Sequence, residues 1–94
     1  MTFVDILGYT AGFVTSLTFL PQVIKTLKDK SAKDISLTMF VIAALNEVMW
    51  IAYGILLTPM NWVIIATNSV VLTMSVIMII LKLRYNNNAT QYSK

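Results

Sequence analysis

Apolar residues run through this chain in long uncharged blocks. Between Asp5 and Lys25 lie 19 residues without a charge, Ile6 to Ile24, and Val48 to Leu81 adds 34 more. A membrane-crossing helix needs about 20 predominantly apolar residues. The 34-residue block is too long for one crossing and too short for two. Thr58-Pro59-Met60-Asn61 breaks it, because proline and asparagine favour turns. The second span then begins earlier, near Ile35, and must contain Glu47. The pattern predicts spans at 5–27, 35–57 and 61–83, forming one all-α membrane domain over 1–85. The polar tail 86–94 is expected to be disordered.

Composition agrees. The 94 residues are 57% hydrophobic, with a mean hydropathy of +0.76. No cysteine or histidine is present, which removes disulfides, thiolate metal sites and Ser-His or Cys-His catalysis. No enzyme activity, cofactor or metal is expected, and no glycine-rich ATP loop is visible. The first residues lack the basic region of a signal peptide, so the first apolar run reads as a retained span.

Charge gives orientation. Lys25, Lys28, Lys30 and Lys33 lie in or beside the first loop, and Lys82, Arg84 and Lys94 follow the third span. All seven basic residues thus fall on one side of a three-span chain, which the positive-inside rule makes cytoplasmic. The N-terminus is expected outside and the C-terminus inside. The net charge of +3 is explained by topology, so a nucleic-acid partner is not expected.

Polar residues inside the spans carry the candidate chemistry, because an unsatisfied polar group in hydrocarbon costs several kcal/mol. Such groups face other helices or a wet cavity. Met39, Asn46, Trp50, Tyr53 and Leu57 are spaced to form one helical stripe. Trp50 and Asn68 each fall about 10 Å below the outer helix ends, at 1.5 Å rise per residue. An indole face and a carboxamide at matched depth suit a sugar, through its apolar C–H face and its hydroxyls. Tight packing, with Trp50 and Tyr53 as interface anchors, also explains the stripe. An interhelical hydrogen bond explains Asn68 as well.

Gly8 and Gly12 form a small-residue pair that permits close helix approach. Thr15 continues their face and is read as cavity-facing, against the alternative of a hydroxyl bonded back to its own helix. Glu47 is the only acid inside a span. It reads either as a proton or cation site or as a protonated carboxyl bonded between helices. Pro21 and Gln22 sit about one turn from the inner end of span one. Pro21 removes the hydrogen bond to the Leu17 carbonyl and reads as a hinge or as a harmless kink. Gln22 can reach the polar inner mouth.

Pro21-Gln22 near the end of a first span, a short basic loop, and Asp34-Ile35-Ser36 opening the second resemble the PQ-loop superfamily. With "WIAYG" at 50–54 and an asparagine in the third span, residues 4–83 resemble the SemiSWEETs, bacterial half-size sugar transporters. The resemblance implies a three-helix bundle with the third helix between the first two. It also implies a parallel homodimer and alternating access in the bacterial inner membrane, with sugar and lipid as partners. Trp50 and Asn68 match sugar-binding positions, Tyr53 an outer gate, Pro21 a hinge, and Met39 and Phe40 an inner gate.

Thr15 and Asn46 join the candidate sugar contacts by their faces. Two departures stand out. Leu57 and Pro59 lie where relatives carry an ion-pair gate. The interval from Tyr53 to Asn68 is also longer than expected, which leaves Thr67 or Ser69 as substitutes for Asn68. The expected activity is facilitated uniport of a mono- or disaccharide. The alternatives are a PQ-loop carrier of an amino acid or other metabolite, proton-coupled through Glu47, and a non-transporting membrane subunit.

Overall fold

The computed structural model describes residues 2–92, with side chains described from 2 to 85. It contains three helices: α1, Phe3–Asp29; α2, Leu37–Leu56; and α3, Trp62–Tyr92. All three are long and apolar enough to cross a membrane, α3 over Trp62–Tyr85.

Local chemistry sets the helix ends. Thr2 and Asp5 form a reciprocal capping box at the start of α1, with Asp5 N–H donating to Thr2 Oγ1 at 3.1 Å. Each satisfies a backbone donor that a helix start leaves free. Lys30, in the left-handed region at φ 51°, ends the helix. Ser36 caps α2 by accepting the Met39 N–H at 3.2 Å. The predicted break at 58–61 is present: α2 stops at Leu56, and Asn61 caps α3 through its side-chain oxygen, which accepts the Ile64 N–H at 3.1 Å. Asn61 N–H also donates to the Gly54 carbonyl at 3.0 Å, folding the turn onto the end of α2.

The third helix outruns its predicted end. It continues past residue 83 to Tyr92, through backbone that the sequence marks as a disordered tail. Residues 82–92 contain no proline or glycine. A helix already nucleated in the membrane therefore meets nothing that breaks it, and extension costs far less than nucleation. The side chains of the 86–94 tail, and residues 93 and 94 altogether, lie outside the described residues.

α3 is the middle helix. It packs along both α1 and α2, whereas no α1 Cα comes within 8 Å of an α2 Cα among the described residues. Two glycines permit the α1 approach. A methyl group at Gly8 would collide with the Val63 side chain, and one at Gly12 with the Thr67 side chain. The G-x-x-x-G pair is thus the seat of α3 on α1.

The two ends differ. The basic end carries the α1–α2 loop, and the turn end carries the N-terminus and the α2–α3 turn. Buried apolar residues collect toward the basic end: Val23, Phe40, Met74, Met78, Leu81 and Tyr85, joined by the loop residue Ala32. Phe19 and Phe40 meet edge to face, with centroids 5.7 Å apart, so α1 and α2 touch there through side chains. Lys82 reaches from α3 to the loop and donates to the Ala32 carbonyl at 2.8 Å.

Candidate functional site

Toward the turn end, α1 and α2 diverge and α3 forms the floor of an open groove of about 340 Å³. All three helices line it. α1 contributes Gly8, Ala11, Gly12 and Thr15, α2 contributes Asn46, Glu47 and Trp50, and α3 contributes Thr67 and Asn68 among others. Four residues singled out as sugar contacts, Thr15, Asn46, Trp50 and Asn68, therefore meet in one place. Helical spacing accounts for this: 46 and 50 are one turn apart on α2, and 8, 12 and 15 run down one face of α1.

The groove polar groups are partly committed to their own helices. Thr15 Oγ1 donates to the Ala11 carbonyl at 3.0 Å, Thr67 Oγ1 to Val63 at 2.7 Å, and Asn68 Nδ2 to Ile64 at 2.9 Å. For Thr15 both readings hold, since its hydroxyl is bonded back and its side chain lines the groove. For Asn68 the interhelical bond expected as the alternative is replaced by one within α3. The carbonyl oxygen of Asn68 and the lone pairs of both threonines remain available as acceptors. Trp50 is 46% exposed, and its ring is braced edge to face by Tyr53, centroids 5.6 Å apart.

Glu47 lines the groove where α2 meets α3 and is hydrogen-bonded across to α3. It is 5% exposed, and its Oε1 accepts a hydrogen bond from Ser75 Oγ at 2.8 Å. Ser75 is 0% exposed. This is an interhelical bond of the kind the sequence allowed for Glu47. Its partner went unrecognised, although Ser75 follows Asn68 by seven residues, two turns along α3, and so shares its face.

The remaining predicted positions lie away from the groove. Tyr53 is half exposed beyond Trp50, on the turn-end side, with its ring edge to face against that indole. Phe40 is buried against Phe19, while the adjacent Met39 is 69% exposed. Pro21 lies inside α1, which stays helical across it. Gln22 does not extend to a polar mouth: its Nε2 donates to the Thr18 carbonyl at 3.1 Å, one turn back. The reason is proximity. Thr18 is four residues away on the same face, and lipid offers the amide nothing better.

Known proteins match both sequence and architecture. The PQ loop repeat family model matches residues 3–63, from the start of α1 into α3. The sugar transporter SemiSWEET of Bradyrhizobium diazoefficiens is 37% identical over 82 residues, 87% of this chain and 93% of the relative. The sugar transporter SemiSWEET of Leptospira biflexa is 37% identical over 83 residues, 88% and 95% of the two chains. The crystal structure of a bacterial homologue of SWEET transporters superposes with a TM-score of 0.82 at 33% identity, covering 89% of this chain and 99% of that one. The crystal structure of SemiSWEET in the inward-open conformation gives 0.77 at 26% identity, covering all of both chains. Three membrane-length helices with the third in the middle, a Pro-Gln pair in the first and a Trp–Asn groove between them thus coincide with relatives aligned over nearly their whole length. This multi-pass membrane protein belongs to the SemiSWEET family of PQ-loop proteins.

Proposed function

We propose that the chain is a sugar transporter working by alternating access, and that it does no covalent chemistry on its substrate. The observation that carries this is the convergence of Thr15, Asn46, Trp50 and Asn68 on one groove in a member of a family whose relatives transport sugar. The groove volume of about 340 Å³ falls at the small end of ligand sites, roughly 300–1,000 Å³. Trp50 offers a flat apolar face to a sugar ring. Asn46, Asn68 and Thr15 offer hydrogen-bond partners to its hydroxyls.

One chain supplies half an enclosure. The groove is open, and Trp50 and Tyr53 are about half exposed beside it. A second copy in the same orientation, related by a two-fold axis along the membrane normal, closes the path with an identical wall. In that parallel homodimer Tyr53 pairs with its counterpart to close the outer end. Pro21, Met39 and Phe40 form the inner hinge and gate. The positive-inside distribution places the N-terminus outside and the basic end in the cytoplasm of a bacterial inner membrane. Sugar shifts the balance between open states only by its differential affinity for them.

The test is uptake of labelled glucose and sucrose by liposomes containing the purified protein. Trp50→Ala is expected to weaken sugar binding by about 2 kcal/mol or more, roughly thirtyfold, as for a buried aromatic anchor. Asn68→Ala should weaken it less. Absence of flux for every sugar tried sinks the reading, and flux that survives both substitutions sinks the site.

A further inference from the structure

Hydroxyls inside the spans mostly keep to their own helix. Thr15, Ser16, Thr67, Ser69 and Thr73 each donate to the carbonyl four residues back, the usual bond of serine and threonine within a helix. Ser75 instead donates across to α2, to Glu47 Oε1 at 2.8 Å. In lipid, apolar packing between helices gains little over hydrocarbon, so a bond of this kind is one of the few forces that select how two helices lie.

Its place is specific. Glu47 lines the groove, and Ser75 lies one turn beyond Val71, the last α3 residue of the lining. Both are buried, Ser75 completely, beside Met74 and Met78 of the packed residues. The bond thus joins α2 to α3 where the groove ends and the packed residues begin.

The chain direction explains the reach. α2 and α3 run antiparallel across the turn between Leu56 and Trp62. Side chains in a helix lean toward its N-terminus, so Glu47 leans toward the basic end and Ser75 toward the turn end. They lean toward one another. Trp50 lies three residues from Glu47 toward the turn end, and Asn68 lies seven from Ser75 in the same direction. At 1.5 Å per residue these are rises of about 4.5 and 10.5 Å. When Trp50 and Asn68 share a depth, Glu47 and Ser75 are therefore offset by about 6 Å along the helices. Glutamate has the length for that offset, and aspartate is one methylene shorter.

The turn ties α2 to α3 on the other side of Trp50, through Asn61 N–H on the Gly54 carbonyl at 3.0 Å. Trp50 stands between the two ties, three residues from Glu47 and four from Gly54. With the turn held, the Glu47–Ser75 bond opposes any rotation or tilt of α2 that carries the indole away from Asn68.

We propose that Glu47 is a positioning residue for the sugar site: its bond to Ser75 pins α2 on α3 and sets the Trp50 indole against the Asn68 amide. This rests on the sugar reading above and adds a residue pair that acts through the contacts rather than as one.

Two measurements on the purified full chain test it. Calorimetric titration with glucose and sucrose gives the dissociation constant. Tryptophan emission without sugar gives the surroundings of Trp50, read in a Trp62→Phe background because Trp62 is the other tryptophan and lies outside the groove lining. Glu47→Gln keeps the length and an oxygen that accepts the Ser75 O–H, so it should hold affinity within about twofold and leave the emission unmoved. Ser75→Ala and Glu47→Asp should each weaken sugar binding by about three- to tenfold and shift the emission, the scale of coupled neighbours. The two combined should weaken it no further than either alone, because both break one bond.

Affinity and emission unmoved in Ser75→Ala and Glu47→Asp, with only thermal stability lowered, overturn the proposal. So does a Glu47→Gln loss as large as that of Glu47→Asp, which would make the carboxyl itself the sugar contact. Where Ser75→Ala does not assemble, the contrast between Glu47→Gln and Glu47→Asp decides. Wild-type protein that binds no sugar sinks the sugar reading, and the emission then decides the pin by itself.

Discussion

The two ends of this bundle are built from the same three helices and do different things. Toward the basic end, Phe19, Val23, Phe40, Met74, Met78 and Leu81 interlock, and the α1–α2 loop is drawn in through Ala32 and Lys82. Toward the turn end, α1 and α2 part, and the space between them is lined by Thr15, Asn46, Trp50 and Asn68. Lipid is as apolar as leucine, so neither end gains from a hydrophobic effect between helices. Van der Waals fit and hydrogen bonds hold them. At the basic end the fit is among large side chains. At the turn end it rests on α1 backbone lying against α3 at Gly8 and Gly12. The difference shows how a small protein keeps a groove open: it closes one end with bulk and brings the helices together at the other with glycine.

The glycine contact offers the sharpest break of that contrast. A methyl at Gly12 meets Thr67 Cγ2 and Cβ, and lies 3.6 Å from the Thr67 backbone Cα. A β-branched side chain so close to backbone cannot swing aside. Gly12→Ala should therefore force α1 away from α3 and cost about 1–3 kcal/mol, the usual range for overpacking. It should also displace Thr67, a groove residue, so sugar affinity should fall together with thermal stability. Gly54→Ala is the matched control. There a methyl meets Ile64 and Ile65 side-chain atoms at 3.1 Å and the Asn61 backbone oxygen at 3.3 Å, tight contacts but without the overlap found at Gly12, and a smaller loss is expected. Equal losses at the two glycines would show that the α1 seat is not special.

At the packed end the expected effect is smaller. Phe40→Ala removes the edge-to-face pair with Phe19, worth about 0.5–1.5 kcal/mol beyond area burial. In lipid the burial itself counts for little, because the separated helix also sits among hydrocarbon. The same substitution unlinks α1 from α2 at the basic end. A cysteine introduced at Val23 should then label faster from that side, while sugar affinity measured in detergent should hold nearly constant. A large fall in affinity would mean that the packed end shapes the groove directly.

The sequence reveals these two ends unequally. The three helices follow from charge-free length and from the Thr58-Pro59-Met60-Asn61 break, both local signals. The groove set was legible because residues 46 and 50 share one face of α2, residues 8, 12 and 15 one face of α1, and depth matches Trp50 to Asn68. The middle position of α3 was available only through family resemblance. A membrane helix presents apolar residues both to lipid and to its neighbours, so periodicity does not separate the two faces. Ser75 was missed for a related reason. A lone serine in a span usually bonds its own helix, as Ser69 does to the Ile65 carbonyl at 2.6 Å, and only the fold brings Ser75 to Glu47. Gln22 was misread in the other direction, because a carbonyl one turn away satisfies it without help from a polar mouth. The continuation of α3 to Tyr92 escaped because membrane length marks where lipid ends, not where a helix does.

Lys82 offers the finest division between the two ends. The sequence counts it only as a positive charge marking the cytoplasmic side, yet it holds the loop by donating to the Ala32 carbonyl at 2.8 Å. That carbonyl also accepts the Ile35 N–H at 3.0 Å, so removing the ammonium leaves no orphaned acceptor. The loss is one charge-assisted bond at a half-buried site, with water able to replace it. Lys82→Met should cost about 0.5–1 kcal/mol, below the 1.5–3 kcal/mol of a fully enclosed bond to a charged group. The effect should stay local. Hydrogen exchange in the α1–α2 loop should quicken by roughly two- to fivefold, the open population that such a cost implies. Lys82→Arg keeps a donor of similar reach and should restore most of the protection. Sugar affinity should be unmoved in both, because the bond lies among the packed residues and no groove residue touches it. Loop protection that is unchanged in Lys82→Met would show that the packed core alone holds the loop. A shift in sugar affinity would show that the two ends move as one body.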